Sequence, residues 1–165
     1  MHPLRSAWVE FLGEVPFQYF GTYTFDRCRS LHPEAVHKKM RLLTKRTNEL
    51  VFGRKWMWDG PGIGSLIALE PHKDGRTHVH ALHYHPELSK DNVAVRLLMR
   101  SLWIPFEERH EWSLKEGLAK VLPAADDAAK SYCAKDYATK GGDLYIDDAL
   151  AHWMGKKPWQ PRLPT

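Results

Sequence analysis

Two apolar runs separated by a short polar stretch do most to limit how this chain can fold. Ser65-Leu66-Ile67-Ala68-Leu69-Glu70 reads as a buried strand, and Thr77 to Tyr84 reads as its return. Between them Asp74-Gly75 is a turn signal, so the pair is expected to form a hairpin. Side chains alternate along a strand, which sends His78 and His80 to one face. Residues directly opposite in a hairpin also share a face, so the register decides where Glu70 stands. A two-residue loop at Asp74-Gly75 would pair Glu70 with Val79 and turn it away from the histidines. An odd number of loop residues would set Glu70 opposite His78.

Two imidazoles side by side are half of a divalent-metal site. Taken alone, a His-x-His pair is more often a solvent-facing part of a half-exposed strand. Glu70, and the stretch Tyr132-Cys133-Ala134-Lys135 further on, weigh against that here. A site with Glu70, His78 and His80 as ligands requires the odd loop. His83 and His85 fall on the other parity and stand outside it.

The remaining elements follow in order. Ser6 to Phe11 is a short amphipathic lead-in that Pro16 ends. Phe17 to Phe25 is rich in aromatic and β-branched residues and predicts a strand. Pro33 suits a first helical position, and Val36, Met40, Leu43, Thr47 and Leu50 recur at helical spacing up to Gly53. The opposite face carries Lys38, Lys39, Arg41, Lys45 and Arg46, read as a solvated face rather than a DNA-contacting ridge.

Trp56 to Gly64 is loop-like. Its glycines lack the Gly-Lys-Ser/Thr ending of a phosphate loop, which argues against a nucleoside triphosphatase. Ser89 to Trp103 predicts a second helix, Ile104 to Ser113 an irregular stretch, and Gly117 to Leu122 a strand ended by Pro123. Asp126 and Asp127 open a helix that runs to about Lys140 and stops at Gly141-Gly142. Leu144 to Ile146 is a last short strand. The order predicts an α+β fold with a largely antiparallel sheet. Residues 1–150 are expected to form one domain and 151–165 an extended, proline-rich tail.

Composition sets outer limits. At 165 residues one real core is feasible. No apolar run is long enough to span a bilayer, and no signal-peptide core follows the N-terminus, so a cytoplasmic protein without a membrane partner is expected. Cys28 and Cys133, the only two cysteines, suit a reducing compartment better than a disulfide framework. The net charge of +4 is compatible with a polyanionic partner.

The chemistry then needs a nucleophile beside the ligands. Tyr132 and Lys135, three apart on the last long helix, share a face. A tyrosine hydroxyl can attack phosphorus, and a nearby ammonium favours phenolate and holds phosphate. Tyr137 and Lys140 repeat the spacing. The two tyrosines lie roughly 140° apart around the helix, so they do not readily address one metal. Ala129, Cys133 and Tyr137 look like the packed stripe, which favours Tyr132 as nucleophile and gives Tyr137 a packing or DNA-contact role. The assignment stays open between them.

Three stretches in this order resemble the HUH endonuclease superfamily, in particular rolling-circle replication initiators of plasmids and phages. They are Gly21-Thr22-Tyr23-Thr24-Phe25, then Thr77 to Leu82 with Glu70 upstream, then Tyr132 to Lys135. The likeness covers residues 17–142. It implies a five-stranded antiparallel sheet flanked by helices. It also implies a manganese or magnesium ion on Glu70, His78 and His80, and catalysis by Tyr132, Lys135 and Tyr137. Tyr23, Thr24 and Lys140 would contact DNA. The implied reaction nicks single-stranded DNA at an origin or hairpin. The tyrosine keeps the 5′ phosphate and leaves a 3′ hydroxyl for a host polymerase, with a host helicase supplying unwinding. Many two-tyrosine relatives space the tyrosines four apart, whereas Asp136 makes the gap five here. Alternative readings are a transposase- or relaxase-like strand transferase, a hydrolase that activates water at the same ligands, and a nucleic-acid-binding module without catalysis.

Overall fold

The computed structural model describes residues 3–13, 15–25, 32–71, 77–107, 119–124, 126–140 and 143–156. Five strands form one antiparallel sheet. They are β1 (Tyr19–Phe25), β2 (Gly64–Pro71), β3 (Thr77–Tyr84), β4 (Ala119–Pro123) and β5 (Asp143–Ile146), in the order β4-β1-β3-β2-β5. Among the described residues six helices accompany them: α1 (Pro3–Leu12), α2 (Pro33–Val51), α3 (Trp56–Asp59), α4 (Val93–Glu107), α5 (Asp126–Lys140) and α6 (Asp148–Trp153). This is the expected α+β architecture.

Alternation in the strands divides the core in two. On one face Tyr19, Tyr23 and Phe25 of β1 join Ile67, Leu69, Val79 and Ala81, covered by Val36, Met40 and Leu43 of α2 and by Val95, Met99 and Trp103 of α4. On the other face Leu66, Ala68 and Leu82 meet Leu12, Phe17, Ala129, Cys133 and Leu150 from α1, α5 and α6 and the segment before β1. The sheet is thus covered on both sides, and among the described residues one end of the second face is polar. There the apolar rows give way to Glu70 on β2, to His80 and His78 on β3, and to Thr22 and Thr24 on β1.

The register meets the condition set by the sequence. Pro71 pairs with Thr77 and Glu70 with His78, which leaves five residues between the strands. An odd loop puts Glu70 on the histidine face.

Several boundaries differ from the sequence reading. Trp56–Asp59 is a short helix, not loop. Helix α4 carries on through the expected irregular stretch to Glu107, while 108–118 lies outside the described residues. Leu50 is 63% exposed, and Thr44 and Asn48 take the buried α2 positions instead. Both are held by bonds that longer-range contact supplies or the helix itself provides: Asn48 accepts from the backbone N–H of Ile63, and Thr44 donates to the Met40 carbonyl.

The expected extended tail is also corrected. Residues 151–153 belong to α6, and the Trp153 indole N–H donates to the Gly62 carbonyl at 2.8 Å. Asp147 caps this helix through Leu150 N–H at 2.8 Å, which Gly64 permits, because a Cβ there would stand 2.5 Å from Leu150 N. The part of the tail from 157 on lies outside the described residues.

The cap carries a pH signature. Asp147 is fully buried, and desolvation pushes its carboxyl up to about 7 against bonds from Leu150 and Ser65. A raised folded-state value means that folding favours the protonated acid. That contribution is complete below the ordinary carboxylate range and is lost as pH rises through about 7. Asp147→Asn keeps the Oδ1 acceptor without the charge. Its melting temperature is expected to gain on wild type between pH 5 and pH 8. A difference that stays constant across that range would contradict the burial argument.

Candidate functional site

The polar end of the second face gathers a cluster. His80 Nε2 lies 2.6 Å from Glu70 Oε2. Lys135 Nζ lies 3.5 Å from Glu70 Oε1 and 3.7 Å from the centroid of the Tyr132 ring. The His80 ring meets Tyr132 edge-on at 4.9 Å and stacks on Phe20 at 5.6 Å. Tyr132 also meets Phe20 edge-on at 5.7 Å. So a carboxylate, an imidazole, an ammonium and a phenol stand together, and Tyr132 itself is 40% exposed.

Helix α5 reaches this position through its small buried residues. Ala129, Cys133 and Ala134 let it lie close on the sheet. Lys130 is buried beside them. Its ammonium donates to the Gly13 carbonyl at 2.6 Å and pairs with Asp127 at 3.4 Å, tying α5 to the end of α1. With that face inward, Tyr132 overhangs Phe20 on β1 and His80 on β3, and Lys135 reaches Glu70 on β2. Burial pushes the Cys133 thiol up to about 12, which makes it packing and not a nucleophile.

The histidines are held from β1. Thr22 pairs with His80 and Thr24 with His78 across the strands. Thr22 Oγ1 lies 3.2 Å from His80 Nδ1, and Thr24 Oγ1 lies 3.3 Å from His78 Nδ1. Hydroxyls on both Nδ1 atoms leave Nε2 as the atom each ring can offer to a ligand. Trp103 supports the far end, its indole N–H donating to the Thr24 carbonyl at 3.2 Å. These two threonines were not singled out as supports by sequence reasoning. The signal was present, since cross-strand neighbours in an antiparallel pair share a face, but the β1–β3 pairing was not known.

Not every expected residue joins the cluster. Tyr23 lies on the opposite face, fully buried, with its hydroxyl 2.9 Å from His83 Nε2, so it is core and not a DNA contact. Alternation requires this: Thr22 and Thr24 face the site, so Tyr23 cannot. His83 is buried with it and bonded to Ser65 Oγ at 2.9 Å. Desolvation holds its pKa down at about 3, a neutral imidazole sealed in the core. The side chains of Tyr137 and Lys140 lie outside the described residues.

Glu70, His78 and His80 supply the donor types of a divalent-metal site, one carboxylate and two imidazoles. Among the described residues no three such groups already converge on one point, and Glu70 and His80 bond to each other instead. The donor types are those a divalent ion takes, while the side-chain positions among the described residues do not bring all three together. No family model, curated protein or solved structure matches this chain. Among the described residues no helix is long and apolar enough to cross a membrane.

Thr22→Val and Thr24→Val keep a β-branched strand residue and remove the hydroxyl. Each should cost about 1 kcal/mol in urea unfolding, because an imidazole nitrogen loses its partner at a part-buried position. Unchanged stability in both would mean that these bonds do not hold the rings.

Proposed function

We propose that the chain is a metal-dependent endonuclease that nicks single-stranded DNA with Tyr132 as nucleophile. The observation that carries this is Lys135, whose ammonium stands between the Tyr132 ring and the Glu70 carboxylate. A cation there attracts a phosphodiester toward the hydroxyl that would attack it. The reading agrees with the likeness to HUH endonucleases, whose three motifs fall on β1, on the β2–β3 hairpin and on α5.

Glu70, His78 and His80 would hold a manganese or magnesium ion, which supplies charge stabilisation at the scissile phosphate. The chain's own groups do the rest. Tyr132 gives its proton to solvent water as its oxygen bonds to phosphorus. The bond from phosphorus to the 3′ oxygen breaks, and that oxygen takes up a proton as it leaves. The 5′ phosphate stays on Tyr132. Lys135 draws the phosphate in and offsets the negative charge that gathers on it. Thr22 and Thr24 keep the two imidazoles turned toward the substrate side. Reversal of the same step joins the held strand to a new 3′ hydroxyl, which is strand transfer. Initiation of rolling-circle replication of a plasmid or phage, with a host helicase and polymerase, is the process this chemistry suits.

The decisive assay mixes the protein with labelled single-stranded oligonucleotides and manganese, then looks on a denaturing gel for a band carrying both protein and label. Wild type should give that band, and peptide mapping should place the label on Tyr132. Tyr132→Phe should reduce the adduct at least about a thousandfold, as expected for loss of a nucleophile. An adduct that survives Tyr132→Phe and vanishes in Tyr137→Phe would move the nucleophile. Cut DNA with no adduct would replace the tyrosine mechanism with water activation.

His78→Ala tests the metal reading separately. Cleavage should fall at least about a hundredfold while DNA affinity stays within about threefold, because a ligand for charge stabilisation is lost and the basic surface is not. Full cleavage by that variant would rule out His78 as a ligand.

A further inference from the structure

A groove of about 580 Å³ starts at Thr22, Thr24 and His78 and leads away from Tyr132, across β1 and β4 to α4. Three cations line it: Arg96 and Arg100, one turn apart on α4, and Lys120 on β4. Between them lie Val93, Leu97 and Leu122, which are 52%, 53% and 40% exposed. Among the described residues no carboxylate lies within ion-pairing distance of Arg96, Arg100 or Lys120. Arg96 also keeps its Nε buried with no hydrogen-bond partner among those residues. Cations that no neighbouring carboxylate neutralises leave the groove positively charged, which suits an anionic occupant.

We infer that this groove seats the single strand that leads away from the scissile phosphate, its backbone on Arg96, Arg100 and Lys120. The choice of occupant rests on the nickase reading, and the groove's continuity with His78 links the two sites. Its chemistry favours a polynucleotide over an acidic peptide. Cations spaced along a channel track a repeating backbone charge, while exposed aliphatic side chains and guanidinium planes meet sugars and base faces. A duplex has its bases stacked inward and would leave the apolar strip uncovered.

The test is a fluorescence-anisotropy titration of a labelled mixed-sequence 20-nucleotide single strand, in EDTA so that neither metal nor covalent capture contributes. The triple variant Arg96→Gln/Arg100→Gln/Lys120→Gln is compared with a charge-matched control on α2, Lys38→Gln/Arg41→Gln/Lys45→Gln. The groove triple should weaken binding by at least about tenfold and lower the slope of log affinity against log salt by about 2, as loss of three phosphate contacts requires. The control should change affinity by less than about threefold. Equal losses in the two triples, or none in the groove triple, would overturn the inference.

Photocrosslinking of wild type to bromodeoxyuridine-substituted strands does not depend on any variant folding. Adducts should map to 93–100 and 119–122, and adducts confined to α2 would also overturn it. The two readings fail separately. Groove-dependent binding without a covalent adduct would refute the nickase alone. A normal adduct with unchanged affinity in the groove triple would refute the groove alone.

Discussion

Everything at the polar end of the sheet depends on one pairing, Glu70 opposite His78. Strand β2 is buried on both faces, with Ile67 and Leu69 on one side and Leu66 and Ala68 on the other. Apolarity alone therefore sets its register only weakly, since a one-residue slip would exchange one aliphatic row for the other. Two polar pairs pin the ladder at its ends. Glu70 bonds to His80 on one face, and Ser65 bonds to His83 on the other. A slip would strand a carboxylate in one core and leave a buried imidazole unpaired in the other. The residues that define the candidate site thus also hold the register that creates it.

The second constraint is the seat of α5. Its inward face is made of alanines and one cysteine, too small to position a helix by interlocking. The Lys130 ammonium on the Gly13 carbonyl supplies the missing specificity, at the cost of burying a charge beside the core. That anchor fixes how far α5 reaches along the sheet, and so brings Tyr132 against His80 rather than against solvent.

Strand β1 serves both cores at once. Its odd residues, Tyr19, Tyr23 and Phe25, build the hydrophobic face under α2 and α4, while Thr22 and Thr24 carry the two histidines. Helix α4 does double duty in the same way, packing Val95, Met99 and Trp103 inward and lining the groove with Arg96 and Arg100. The candidate catalytic end and the groove therefore share supports. A change in core packing at Trp103 would be felt at Thr24, through the bond from its indole.

Much of this was legible beforehand. Period-two alternation gave the hairpin and the shared face of His78 and His80, and helical phase placed Tyr132 and Lys135 beside a packed stripe. Which way Glu70 faced stayed open, because an even loop at Asp74-Gly75 would have turned it from the histidines. Where the reading failed, the cause was tertiary. Tyr23 was grouped with a DNA-contacting motif, but whether the odd or the even residues of β1 face the site depends on its pairing with β3. Leu50 fits the core from its spacing, yet it stands 63% exposed at the end of α2. What the sequence determined by itself was the local periodicity, which needs only bond geometry and neighbours a few residues away. What the tertiary structure decided was the strand register, the seat of α5 and the groove beside α4, because each depends on side chains that burial brings together from distant parts of the chain.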